Sequence, residues 1–173
     1  MSSQPDRPFE DPREALKVRL TSIVQGLEPV ARTDRVVYRV AGGPPGKRLE
    51  TVTEVSGTGE LKASLLDEMA GIARREKTSK LPERETSTLM RSILESGLLD
   101  EGDTGEGFLP DSVIASITVE TDGVSVTKHF LADERLRSAQ GRELSSALRK
   151  LHPLLDRISR RALNTMTSQD KRG

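Results

Sequence analysis

Residues 113–131 place the tightest constraint on the fold. Two runs of period-two alternation, Val113 to Thr121 and Val124 to Leu131, flank the dipeptide Asp122-Gly123. Asp-Gly between alternating runs predicts a hairpin with a two-residue turn, because both central residues of that turn need positive φ. A two-residue loop sets Thr121 opposite Val124, so Val119 faces Val126 and Ala115 faces Phe130. That face is apolar apart from Lys128, whose stem is expected to snorkel at the edge. The other face pairs Glu120 with Ser125, Thr118 with Thr127 and Ser116 with His129. One side of the hairpin is therefore core and the other is wet.

A hairpin with one apolar face needs further elements to cover it, and the rest of the chain supplies them. Asp11-Pro12 opens a helix, with Asp as N-cap and Pro at the first helical position, followed by Leu16, Leu20, Ile23, Val24 and Leu27. From Asp34 the period changes to two. Val36, Tyr38 and Val40 line one strand, the loop Gly42-Gly43-Pro44-Pro45-Gly46-Lys47 follows, and Leu49, Thr51, Thr53 and Val55 line the return. Gly57-Thr58-Gly59 signals another turn. Leu61, Ala63 and Leu65 then read as a third strand, in preference to a helix over 60–76 built on Leu61, Leu65, Met69 and Ile72. Residues 70–80 are polar and read as loop. Leu81-Pro82 opens a second helix that carries Leu89, Met90, Ile93 and Leu94 and stops at Gly97. Residues 100–107 hold three glycines and four acids and read as a mobile acidic loop. A last helix over 142–163 carries Leu144, Leu148, Leu151, Leu155, Ile158 and Ala162, with Pro153 expected to kink or weaken it.

The expectation is an α+β fold: a leading helix, then β-β-(β)-α-β-β-α, with an antiparallel sheet and helices packed on one face. The 173 residues fit one domain over 11–163, with disordered tails at 1–10 and 164–173.

Composition narrows the function classes. Lys plus Arg and Asp plus Glu each count 27, so no net charge draws in polyanions, and aromatics at 2% leave no base-stacking platform. Nucleic acid is thus not an expected partner. With no cysteine there is no disulfide scaffold, thiolate zinc site or cysteine nucleophile. No run approaches roughly 18 apolar residues, so no membrane partner is expected, and the polar start suggests no secretory signal. The expected location is the cytoplasm.

No constellation points to catalysis. His129 and His152 stand apart from any carboxylate pair at ligand spacing, so no metal or cofactor and no Ser-His-acid triad is expected. The loop 42–47 lacks the Gly-Lys-Ser/Thr ending of a phosphate loop and leads into a strand. Arg157, Arg160 and Arg161, with Lys171 and Arg172, make a basic end to the last helix that suits its macrodipole. The remaining reading is a non-enzymatic binding module whose partner is another protein. Gly42, Gly43, Pro44, Pro45 and Gly46 form the first candidate contact loop, stiffened by its prolines. Phe108, Leu109 and Pro110, apolar beside a glycine-rich stretch, form the rival. The alternative is a structural subunit of a larger assembly that uses the outer helices as permanent interfaces.

The layout over residues 35–160 resembles the emfourin family, small bacterial protein inhibitors of thermolysin-like metalloproteases. The resemblance lies in the glycines 42, 43 and 46 between two strands, the Ser96-Gly97-Leu98-Leu99 end of a helix, the Asp122-Gly123 hairpin and the terminal helix. Pro44 stands where the family favours an aromatic, and residues 57–80 and the leading helix are extra. The resemblance implies a metalloprotease as a candidate partner and assigns no inhibitory residue.

Overall fold

The alternating stretches assemble into one six-stranded antiparallel sheet, ordered β4-β3-β2-β1-β5-β6, in a computed structural model that describes residues 11–100, 112–121, 123–131 and 146–170. Chain order is α1 (Pro12–Val24), β1 (Arg35–Gly42), β2 (Leu49–Ser56), β3 (Glu60–Asp67), β4 (Ile72–Lys80), α2 (Glu83–Ser96), β5 (Ile114–Thr121), β6 (Val124–Leu131) and α3 (Ser146–Asp170). This is the expected α+β class. The strand reading of residues 60–67 holds over the helical one, since β3 pairs with β2 from Leu61↔Val55 to Asp67↔Leu49.

The polar stretch 70–80 is corrected: residues 72–80 are a strand, not a loop. Ile72–Lys80 carries no apolar alternation and is held by its backbone ladder to β3 at the sheet edge. An edge strand needs no buried face to pair, so hydropathy carries no trace of it.

The β5–β6 hairpin has the expected register, from Thr121↔Val124 through Val119↔Val126 to Ala115↔Phe130, and Gly123 has φ +81. Lys128 departs from expectation. It is 4% exposed and engaged by neighbours, so it does not snorkel into solvent.

One face of the sheet is the core. Val36, Tyr38, Val55, Leu61, Ala63, Ala115, Ile117 and Val119 are buried there against all three helices. Leu16 and Leu20 come from α1, Leu89, Met90 and Ile93 from α2, and Leu151, Leu155, Ile158 and Ala162 from α3. Each Val, Leu, Ile or Met side chain among them contributes about 2 kcal/mol by leaving water. Leu27, expected in the α1 stripe, lies past the helix end and is exposed. The caps follow the sequence: Asp11 Oδ1 accepts from the Arg13 amide at 3.0 Å with Pro12 behind it, and Gly97 ends α2 with left-handed φ. Helix α3 continues through Pro153 and runs past Asn164, where a tail was expected. Two polar contacts seat it on the sheet: the Tyr38 hydroxyl donates to Asp156 Oδ1 at 2.9 Å, and Thr53 Oγ1 donates to Ser159 Oγ at 3.0 Å.

Candidate functional site

The β1–β2 loop owes its shape to its glycines and prolines. A Cβ on Gly42 would lie 2.2 Å from the Ser112 carbonyl oxygen, and one on Gly43 would lie 2.5 Å from the Lys47 carbonyl oxygen. Backbone cannot give way as a side-chain tip can, so only glycine fits at both positions. Beyond them, the Lys47 amide donates to the Pro44 carbonyl at 2.9 Å, and Gly46 sits between at φ +81. Proline second and a positive-φ glycine third are the pattern of a type II turn, with Pro45 presetting the first bend. Pro44 to Arg48 are all exposed.

A second turn braces the first. Glu68, in the β3–β4 connection, accepts from Arg48 Nε at 3.0 Å, Nη2 at 2.8 Å and the Arg48 amide at 3.0 Å, while its own amide donates to the Arg48 carbonyl at 2.9 Å. The Arg48 guanidinium, then its amide, hold the Glu68 carboxyl below the usual range, and Glu68 in turn raises Arg48. Beside the brace, Met69 is 73% exposed. The two turns thus present Pro44, Pro45 and Met69 on a hydrogen-bonded base. This end of the sheet offers shape and apolar contact. Arg48 and Glu68, occupied with each other, provide no acid–base pair for catalysis.

The rival loop, Phe108, Leu109 and Pro110, lies outside the described residues. The chain re-enters the described structure at Ser112, whose carbonyl lies against Gly42. The structure adds Glu68 and Met69, which sequence reasoning missed. Gly71 after Asp67-Glu68-Met69-Ala70 was the available turn signal; the strand that follows concealed it.

Opposite this loop end, at the start of β1, lies a buried and fully engaged carboxylate. Asp34 is 2% exposed. Its carboxylate takes Arg19 Nε at 3.2 Å and Nη2 at 2.9 Å, the Ala31 amide at 2.7 Å and the Thr121 hydroxyl. Arg19 also reaches Glu28 and, at 3.0 Å, the Pro29 carbonyl, while the Gly57 amide donates to the Asp34 carbonyl at 2.6 Å. Burial pushes the Asp34 carboxyl up, but the guanidinium, hydroxyl and amide donors outweigh it and hold the carboxyl below its ordinary value. Every oxygen is committed to the fold, tying α1, β1, β5 and the β2–β3 turn together. This is a structural knot, and nothing in the sequence distinguished Asp34 from other acids.

His129 is exposed on the open face opposite Ser116, and the His152 side chain lies outside the described residues. Among the described residues no group of three His, Cys, Asp or Glu could hold a metal ion, and no helix is long and apolar enough to cross a membrane. Arg157 and Arg160 are exposed. Arg161 is drawn to Glu85 on α2 at 2.9 and 3.2 Å, so the basic helix end is partly neutralised within the fold; Lys171 and Arg172 lie outside the described residues. Comparison with protein-family models gave no match, and no curated protein matches the chain significantly, so its assignment rests on the geometry above.

Proposed function

We propose that this chain is a non-catalytic binding module that docks on another protein through the loop end of its sheet. Pro44 and Pro45 lead the contact, with Met69 beside them. The observation that carries the reading is the brace: an exposed, proline-stiffened turn held by the Arg48–Glu68 cluster. A surface already ordered before binding loses less conformational entropy on docking. The emfourin-like layout makes a thermolysin-like metalloprotease the first partner to test and protease inhibition the first activity to assay.

Replacing both Pro44 and Pro45 by glycine removes the stiffness and leaves the core untouched. Calorimetric titration with the protease is expected to show binding weakened by about 1–2 kcal/mol, roughly 5- to 30-fold, in a protein that stays folded although the freed unfolded chain costs it roughly 1–2 kcal/mol of stability. Unchanged affinity in that variant, with binding lost when Phe108 and Leu109 become alanine in a folded protein, would move the contact to the other loop.

The second reading, a structural subunit of a larger assembly, draws on a different observation. Val18 is 67% and Leu27 73% exposed on and just past α1, a helix with apolar side chains on its outer side as well. Constitutive co-purification with fixed stoichiometry, weakened by Val18→Ser with Leu27→Ser, would favour it over the docking module.

A further inference from the structure

The edge strand β4 concentrates positive charge in a chain with none to spare. Its sequence, Ile72–Lys80, holds four cations against a single acid, while the whole protein is neutral. Arg74 is turned toward Glu50 at 3.1 Å. Lys80 has no ion pair among the described residues, nor does Lys62, which lies opposite Thr78 on the adjoining strand. Lys62 and Lys80 share the sheet face away from the helices, whereas Lys77 lies opposite Ala63 on the helix side.

The ladder phase fixes which backbone groups face outward. The Leu81 amide donates to the Gly59 carbonyl at 2.7 Å, and the register continues as Leu61↔Ser79, Ala63↔Lys77 and Leu65↔Arg75. In an antiparallel pair, residues that bond to the partner alternate with residues that do not. Residues 75, 77 and 79 therefore bond to β3. The amides and carbonyls of Arg74, Glu76, Thr78 and Lys80 point to the open side, where the sheet order ends.

We propose that β4 receives an acidic segment of another protein as a seventh, extended strand, the outward backbone groups of residues 74–80 giving the ladder and Lys62 and Lys80, on the sheet face away from the helices, selecting negative charge. A second copy of this chain is a poor occupant, because pairing β4 with itself brings like charges together. Strand addition separates the two determinants: main-chain bonds give affinity and side chains give selectivity. The same features, lysine at an edge, also protect a sheet from indiscriminate pairing, and selectivity for acidic strands is what such protection leaves open. The inference does not depend on the loop-docking reading, since it involves neither Pro44 nor Pro45.

The test uses the full chain and fluorescence anisotropy of a labelled peptide of about ten residues alternating Val and Glu, long enough to span the strand. Three comparison probes are a Val-Lys peptide, the Val-Glu peptide N-methylated on alternate amides, and a single-stranded oligothymidylate. The expected result is binding of the Val-Glu peptide alone, weakened about tenfold by Lys62→Gln with Lys80→Gln and further weakened by added salt. Thr78→Pro, which removes an outward amide at an edge position that tolerates proline, is expected to abolish it. Equal binding of the N-methylated peptide would overturn strand addition and leave only charge attraction. Preference for the oligonucleotide would overturn it in favour of a polyanion surface, and failure of the Val-Glu peptide to bind would end it. Loss of peptide binding with intact protease docking, or the reverse, tells the two surfaces apart.

Discussion

Two sets of ion pairs in this protein look alike on paper and differ in what surrounds them. At the start of β1, Arg19 and Asp34 meet where Asp34 is out of water, with the Ala31 amide and the Thr121 hydroxyl filling the remaining acceptor sites. On the sheet face away from the helices, Arg35 bridges Glu54 at 3.2 Å and Glu120 at 2.8 Å, while Glu50 is shared by Arg39 at 3.0 Å and Arg74 at 3.1 Å. The open-face set has more members and comparable distances. Water nevertheless screens it, and each long side chain loses rotamer freedom to hold its place. The buried set cannot lose one partner without leaving the others desolvated and unpaired. Geometry is similar in the two; dielectric surroundings set the difference in weight.

The largest effect expected from this contrast is that of Asp34→Ala. It strips the acceptor from Arg19, the Ala31 amide and Thr121 together, and is expected to lower the urea-derived stability by about 3 kcal/mol. A loss under about 1 kcal/mol would show the knot to be as weak as a surface pair.

Acid separates wild type from that variant next. The Asp34 carboxyl is held below its ordinary value, so its contribution is fully present above the unfolded-state pKa and is lost as pH falls through the folded one. The stability gap between wild type and Asp34→Ala should hold at neutral pH and narrow below about pH 4. A gap that is constant down to the acid transition would mean that Asp34 is not the titrating group. Glu68 is shifted in the same direction, but it is only half-buried at a surface turn beside an exposed Arg48, and solvent screens the pair.

The smallest effect belongs to the open face. Arg39→Ala is expected to change stability by no more than about 0.5 kcal/mol, and a double-mutant cycle with Glu50→Ala should give a coupling that vanishes near 1 M salt. The Asp34 effect should persist in the same salt. A salt-resistant coupling at Arg39 would indicate that something covers this face.

The two terminal hairpins of the sheet show how legibility divides. The β5–β6 register was readable in full because Asp122-Gly123 dictates the turn and the apolar alternation dictates the face. The β3–β4 hairpin was readable only in its first strand. Arg74, Arg75, Glu76, Lys77 and Thr78 alternate nothing, and their pairing rests on backbone bonds that any residue except proline can make. The candidate site divides the same way. Loop 42–47 was visible through its glycines and prolines, whereas the brace from Glu68 was not, since it joins residues 20 apart through a strand that hydropathy conceals.

What the sequence determined by itself was whatever local conformation or a one-sided apolar pattern can specify. The Asp11-Pro12 cap, the Gly97 stop, the Pro45-Gly46 bend, the Asp122-Gly123 turn and the core faces of β1, β2, β3, β5 and the three helices all belong here. Tertiary structure alone decided the fourth strand, the burial of Lys128 and which of the 27 acids would be Asp34. The reason is physical. Turn chemistry and hydrophobic periodicity are properties of neighbours along the chain, while the fate of a charge depends on donors and walls brought from far away. Asp34 takes its bonds from Arg19, Ala31 and Thr121, and only the closed sheet puts Thr121 within reach.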